Sequence, residues 1–179
     1  MRSFKTRELA VCATCVALSV ALNQLTLFKM PQGGAVTPCS MLFIALSGYW
    51  FGPFAGVTSG VAMGLLDLLL GGYVVHPAQL LLDYPLAFGM LGLAGAFRKM
   101  RFGLPVGYMF GAAGRFAFSF LSGWVFFAEY APEGQHAAAY SAVYNGSYIG
   151  AEVAVTLALL CVPVFRDALE RIGTRFRRV

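Results

Sequence analysis

A carboxylate inside an apolar run is the group in this chain best placed to do chemistry. Asp83 lies in the stretch from His76 to Phe97, directly before Tyr84 and Pro85. A charge at the centre of a bilayer helix costs about 3 kcal/mol or more, so an acid kept there needs a partner, a wet cavity or a cationic ligand. His76, Gln79 and Asp83 stand at i, i+3 and i+7 and would share one face of a helix. One polar residue at such a place would serve as an interhelical hydrogen bond, whereas three on one face, ending in an acid, make a stripe suited to a ligand. Later in the chain Tyr144 and Tyr148 are one turn apart, with Tyr140 and Asn145 beside them, and Ser119, Gly123 and Phe127 align at four-residue spacing. Aromatic faces and an amide around one negative charge hold an aromatic cation by stacking, cation–π attraction and a counter-ion. Tyrosines alone would read as an interfacial belt, and that is the reading for Tyr130 and Trp124.

Other reactive groups give less. Cys12 and Cys15 form a CxxC inside an apolar run, with no second pair and no histidine nearby, so they, like Cys39 and Cys161, read as small buried packing residues. Arg115 and Glu152 would lie at similar depth and neutralise one another, with Asp67 near the outer end of the third helix. No HExxH, GxSxG, GxxxxGK[ST] or metal-spaced histidine cluster is present.

The elements that must position these groups are membrane helices. The 179 residues are 59% hydrophobic and only 12% charged, with a mean hydropathy of +0.71. A globular domain carries roughly a quarter charged residues. At about 20 residues per crossing, the chain accommodates six spans as a single all-α domain over residues 1–179, with no room for a soluble domain. Any energy source or enzyme must come from another chain.

The net charge of +5 does not mark a nucleic-acid binder, because the basic residues cluster between apolar segments. Arg2, Lys5 and Arg7 precede the first span, Arg98, Lys99 and Arg101 share one loop, and Arg166, Arg171, Arg175, Arg177 and Arg178 come last. The positive-inside rule puts all three clusters in the cytoplasm, with both termini, which demands an even number of spans. The basic start also resembles a signal peptide, but cleavage would break this parity, so the segment is read as a helix.

The helices are expected at about Arg7–Leu27, Pro38–Phe51, Phe54–Leu70, His76–Phe97, Leu104–Phe127 and Ser141–Val164. The outer loops are then Phe28–Pro38, Gly71–Val75 and Ala128–Tyr140, the last holding Glu129 and Glu133 but no Lys or Arg. On the first helix, Ala13, Ala17 and Ala21 make a flat stripe that either packs internally or docks another subunit.

Three stretches carry a family resemblance: His76-Pro77-Ala78-Gln79-Leu80-Leu81-Leu82-Asp83-Tyr84-Pro85-Leu86-Ala87-Phe88, Tyr130-Ala131-Pro132-Glu133-Gly134, and Tyr140-Ser141 with Tyr144-Asn145-Gly146. Together they resemble the thiamine-binding branch of the S components of energy-coupling factor (ECF) vitamin transporters. The resemblance implies a six-helix protein of the bacterial plasma membrane that captures thiamine outside. It would work with a transmembrane T component and two cytoplasmic ATPases, with no cofactor and no enzymatic activity of its own. It would have Asp83 balance the thiazolium charge, Tyr73, Tyr84 and Tyr140 line the pocket, Asn145 bond the aminopyrimidine and Gly123 let the ligand approach the backbone. The alanine stripe on the first helix looks like that family's docking surface.

The chain also departs from the family: Ser119 stands in place of a histidine, Phe127 in place of a tryptophan, and the first loop lacks a tryptophan. Loss of these rings should weaken stacking and cation–π contacts. Two further readings therefore stay open: an S component for another small heteroaromatic, such as a pyrimidine or pyridine precursor, and a small membrane enzyme using Asp83 and His76 as an acid–base pair.

Overall fold

The structure, a computed structural model, describes residues 5–31 and 33–177, with side chains to Phe176. Arg2 and Arg178 of the basic clusters lie outside the described residues.

The second helix, α2 (Ser40–Phe51), is the axis of the molecule. Its sequence SMLFIALSGYWF has no charge and no polar face, so it is buried all round, with Met41, Leu42, Ile44 and Leu46 fully enclosed. Gly52, at φ 102°, ends it, and Pro53 at the first position opens α3 (Pro53–Leu69). Around α2 lie α1 (Thr6–Asn23), α3, a rod over Pro77–Phe97, α6 (Gly103–Phe126) and α7 (Ala137–Cys161). By length and apolarity α1, Pro77–Phe97 and α7 can each cross a membrane, while α2 and α3 are shorter apolar helices. The periphery is apolar too: Leu9, Leu18, Phe54, Leu65, Met109 and Val155 are all exposed, as a lipid-facing surface requires.

Glycine sets the closeness of packing. Gly56, Gly60 and Gly64 recur every four residues along α3, and a Cβ at each would collide with backbone at Gly92, Phe88 and Tyr84 respectively. The α3 backbone thus lies directly on the Pro77–Phe97 rod, as small residues allow in membrane helices.

That rod is one expected helix with four windings. It is α-helical at Pro77–Leu81 (α4), π-helical at Leu82–Leu86, α-helical at Ala87–Leu91 (α5) and 3₁₀ at Gly92–Phe97. Pro85 lies inside the π segment. It has no amide hydrogen to donate, and the wide turn takes up the break.

Several boundaries differ from the sequence reading. The first outer loop folds back as a two-stranded antiparallel hairpin, β1 (Phe28–Lys29) with β2 (Ala35–Val36). Gly34 has no side chain because the Tyr148 ring fills that space, which seats the hairpin on α7. That helix starts at Ala137 rather than Ser141, so Tyr140 belongs to it. The arginine-rich end is not a bare charged tail. It forms a further helix, α8 (Pro163–Arg177), whose Phe165, Leu169 and Phe176 pack on the core. Cys12 and Cys15 are buried, but Cys161 is exposed rather than buried. No metal-binding group of His, Cys, Asp or Glu occurs among the described residues.

The basic segments converge at one end. Arg7 lies over the Phe176 ring at 5.4 Å, Trp50 packs on Phe176 at 6.0 Å, and the start of α6 at Gly103 touches Phe97 and Tyr49. The hairpin and the loops preceding α4 and α7 lie at the opposite end.

Candidate ligand-binding site

At that opposite end the helices enclose a cavity of about 530 Å³. Asp83, from the π turn, and Gln79, one helical turn before it, form its first wall. Gln79 is 1% exposed, and both its amide hydrogens are used: Nε2 donates to Asp83 Oδ2 at 2.7 Å and to the Tyr73 carbonyl at 3.2 Å, while Oε1 accepts from the Val75 amide at 3.2 Å. Ser122 on α6 donates to the same Asp83 Oδ2 at 2.7 Å. Two donors on one oxygen fix the carboxylate plane and leave Oδ1 for a ligand.

The opposing wall comes from α6 and α7. Asn145 Nδ2 donates to the carbonyls of Ser119 at 3.2 Å and Ser141 at 3.0 Å, and Oδ1 accepts from the Tyr148 hydroxyl at 3.1 Å. A carbonyl oxygen has two lone pairs, so Oδ1 retains one for a ligand donor. Gly123 lines the cavity, but a Cβ there would strike Ser141 Oγ, so this glycine also sets the approach of α6 to α7.

The mouth is aromatic. Tyr73 and Phe127 have ring centroids 6.2 Å apart, Phe127 and Tyr130 are 5.8 Å apart, and Tyr140 and Tyr144 are 6.1 Å apart. The Tyr84 hydroxyl accepts from the Tyr73 amide at 2.9 Å, which ties the loop after α3 to the π turn. The inner end holds Phe88 and Arg115, with the guanidinium 4.2 Å above the Phe88 ring. Asp67 also lines the cavity and accepts from Asn23 Nδ2 on α1 at 2.6 Å.

Ten of the eleven residues singled out from sequence line this one cavity: Tyr73, Gln79, Asp83, Tyr84, Ser119, Gly123, Phe127, Tyr140, Tyr144 and Asn145. His76 does not. It is the N-cap of α4, in extended conformation, and its Nδ1 accepts from the Ala78 amide, so it leaves the helical face that Gln79 and Asp83 share. Its ring instead stacks on Phe126 at 5.0 Å.

The expected Arg115–Glu152 pair does not form. Glu152 points to the start of α2 and accepts from Thr37 Oγ1 at 2.7 Å, Ser40 Oγ at 3.0 Å and the Met41 amide at 3.0 Å. Three donors and a helix N-terminus stabilise that buried carboxylate without a cation. Tyr130 sits at the mouth rather than only in a belt, whereas Trp124 is 43% exposed and packs on Phe120 at 5.9 Å. Ser122 and Phe88 were not singled out from sequence. Ser122 is three residues from Ser119, and that small polar pair one turn apart was the available signal. The stripe of Ala13, Ala17 and Ala21 is exposed on the outer side of α1.

The family described as thiamine transporter protein matches residues 9–170. A thiamine transporter, ThiT, of Bacillus subtilis is 31% identical over 169 residues, which cover 87% of each chain. ThiT of Lacticaseibacillus paracasei is 34% identical over 105 residues, 49% of this chain and 52% of that one. A solved structure of ThiT from Listeria monocytogenes superposes with a TM-score of 0.67 at 20% identity, covering 96% of this chain and 93% of the other. The all-α membrane fold is therefore shared.

Proposed function

The chain belongs to the thiamine transporter protein family, and from that premise we propose that it is the thiamine-capturing S component of an ECF-type importer in the bacterial plasma membrane. The carrying observation is the Asp83 carboxylate, held on one oxygen by Gln79 and Ser122 within an aromatic-walled cavity. Thiamine combines a permanent thiazolium cation with an aminopyrimidine. Asp83 supplies the counter-ion, the tyrosine faces supply cation–π attraction, and the free lone pair of Asn145 Oδ1 takes the exocyclic amine.

The positive-inside rule supports six spans, with the convergent basic end and both termini in the cytoplasm and the cavity outside. No GxxxxGK[ST] motif occurs in the sequence, in keeping with ATP-driven release by a T component and two ATPases from other chains. The exposed alanine stripe of α1 is the surface for the T component. The Phe127 ring, between Tyr73 and Tyr130, is the stacking face at the place of the missing tryptophan.

Calorimetric titration of the detergent-purified protein with thiamine tests this reading, with pyridoxine and the isolated aminopyrimidine as competitors. Saturable binding of thiamine, returned unchanged, is expected. A folded sample that ignores thiamine but binds a competitor would replace the assignment with another heteroaromatic, and conversion of thiamine would replace it with an enzyme.

A further inference from the structure

Arg115 has no partner for one of its hydrogen-bond donors. Its Nη1 is buried and without a hydrogen-bond acceptor among the described residues, and the residue lines the cavity. A buried, unpaired donor costs about 1–3 kcal/mol, and more when charged, so a side chain held this way calls for an acceptor from outside the protein. The Phe88 ring supports the guanidinium from below at 4.2 Å, which fixes its plane.

We propose that Arg115 is the inner subsite of the cavity and donates from its guanidinium to the hydroxyl oxygen at the end of the ligand's hydroxyethyl arm. The proposal rests on the reading of the ligand as thiamine. It orients the molecule with its arm inward at Arg115, its charged ring at the depth of Asp83 and its amine at Asn145.

Charge selects a hydroxyl over a phosphate. Asp67, Asp83 and Arg115 are the charged residues of the cavity wall, so two carboxylates against one guanidinium leave one formal negative charge. That balance matches a monocation with a neutral arm. A phosphate ester would bring further negative charge beside two acids. The second acid also offsets the arginine's charge, so a cationic ligand can lie in the same cavity.

The test compares thiamine, its analogue with ethyl in place of hydroxyethyl, and thiamine monophosphate, by calorimetry on the wild-type protein and on Arg115→Met and Arg115→Lys. Wild type should bind thiamine about tenfold to a hundredfold more tightly than the ethyl analogue, the range set by one hydrogen bond to a charged donor. Arg115→Met should bind both equally, Arg115→Lys should keep part of the preference, and the monophosphate should bind wild type more weakly than thiamine. Equal binding of thiamine and the ethyl analogue by wild type overturns the subsite, and that measurement needs no variant to fold. An equal loss of both compounds in a folded Arg115→Met protein also overturns it, as does tighter binding of the monophosphate that Arg115→Met abolishes. Absence of thiamine binding by folded wild type would instead overturn the thiamine reading itself.

Discussion

Ser122 on α6 and Asp83 in the π turn are joined by a hydrogen bond of 2.7 Å across 39 residues of sequence. With Gln79 on the same oxygen, Ser122 holds the carboxylate so that its other oxygen faces the cavity. Ser122→Ala removes one of these two restraints. Hydrogen bonds to charged groups contribute about 1.5–3 kcal/mol, and because Gln79 remains, thiamine affinity is expected to fall about tenfold. Calorimetry reads the change, and an unaltered affinity would mean that Gln79 alone orients Asp83.

Asp83→Asn keeps the shape of the side chain and removes its charge. Binding of thiamine should weaken far more than binding of the uncharged aminopyrimidine, by about tenfold or more, since an opposite charge close by in a partly desolvated site is worth over a kcal/mol. Equal losses for the two ligands would remove the counter-ion role.

Gly64→Ala puts a methyl group against the Tyr84 carbonyl. Overpacking of this kind costs about 1–3 kcal/mol, and the displaced strut is the π turn that carries Asp83. A lower thermal midpoint and weaker thiamine binding are expected together. A variant that loses stability but keeps full affinity would show that the turn tolerates the shift.

Ala17→Leu places bulk on an exposed position of α1, away from the cavity lining. Thiamine binding by the purified protein should be unchanged, while uptake by cells that hold the partner subunits should be lost. Normal uptake would exclude this stripe as the docking surface.

The helices were legible because apolar runs and basic clusters alternate along the chain, and Asp83 was legible because an acid in such a run is costly. The azimuth of each side chain was not. Arg115 and Glu152 were expected at similar depth, yet Glu152 turns toward the α2 N-terminus, and depth along a helix does not fix direction around it. His76 shares the spacing of Gln79 and Asp83 but stands at the cap, where backbone angles break the helical face. Pro85 announced an irregularity without specifying a π turn. The α8 helix was hidden by its arginines, although Phe165, Leu169 and Phe176 carried helical spacing. Ser122 was overlooked because one serine in a membrane helix has many uses.

Neither tryptophan touches the cavity. Trp50 is 5% exposed, wedged where Gly173 has no side chain and packed on Phe176, at the far end of the molecule. Direct contact with a bound vitamin cannot quench its emission. The indole is therefore a native optical probe of transmission: any change in its fluorescence on ligand addition reports that occupancy at one end of the molecule has rearranged the other.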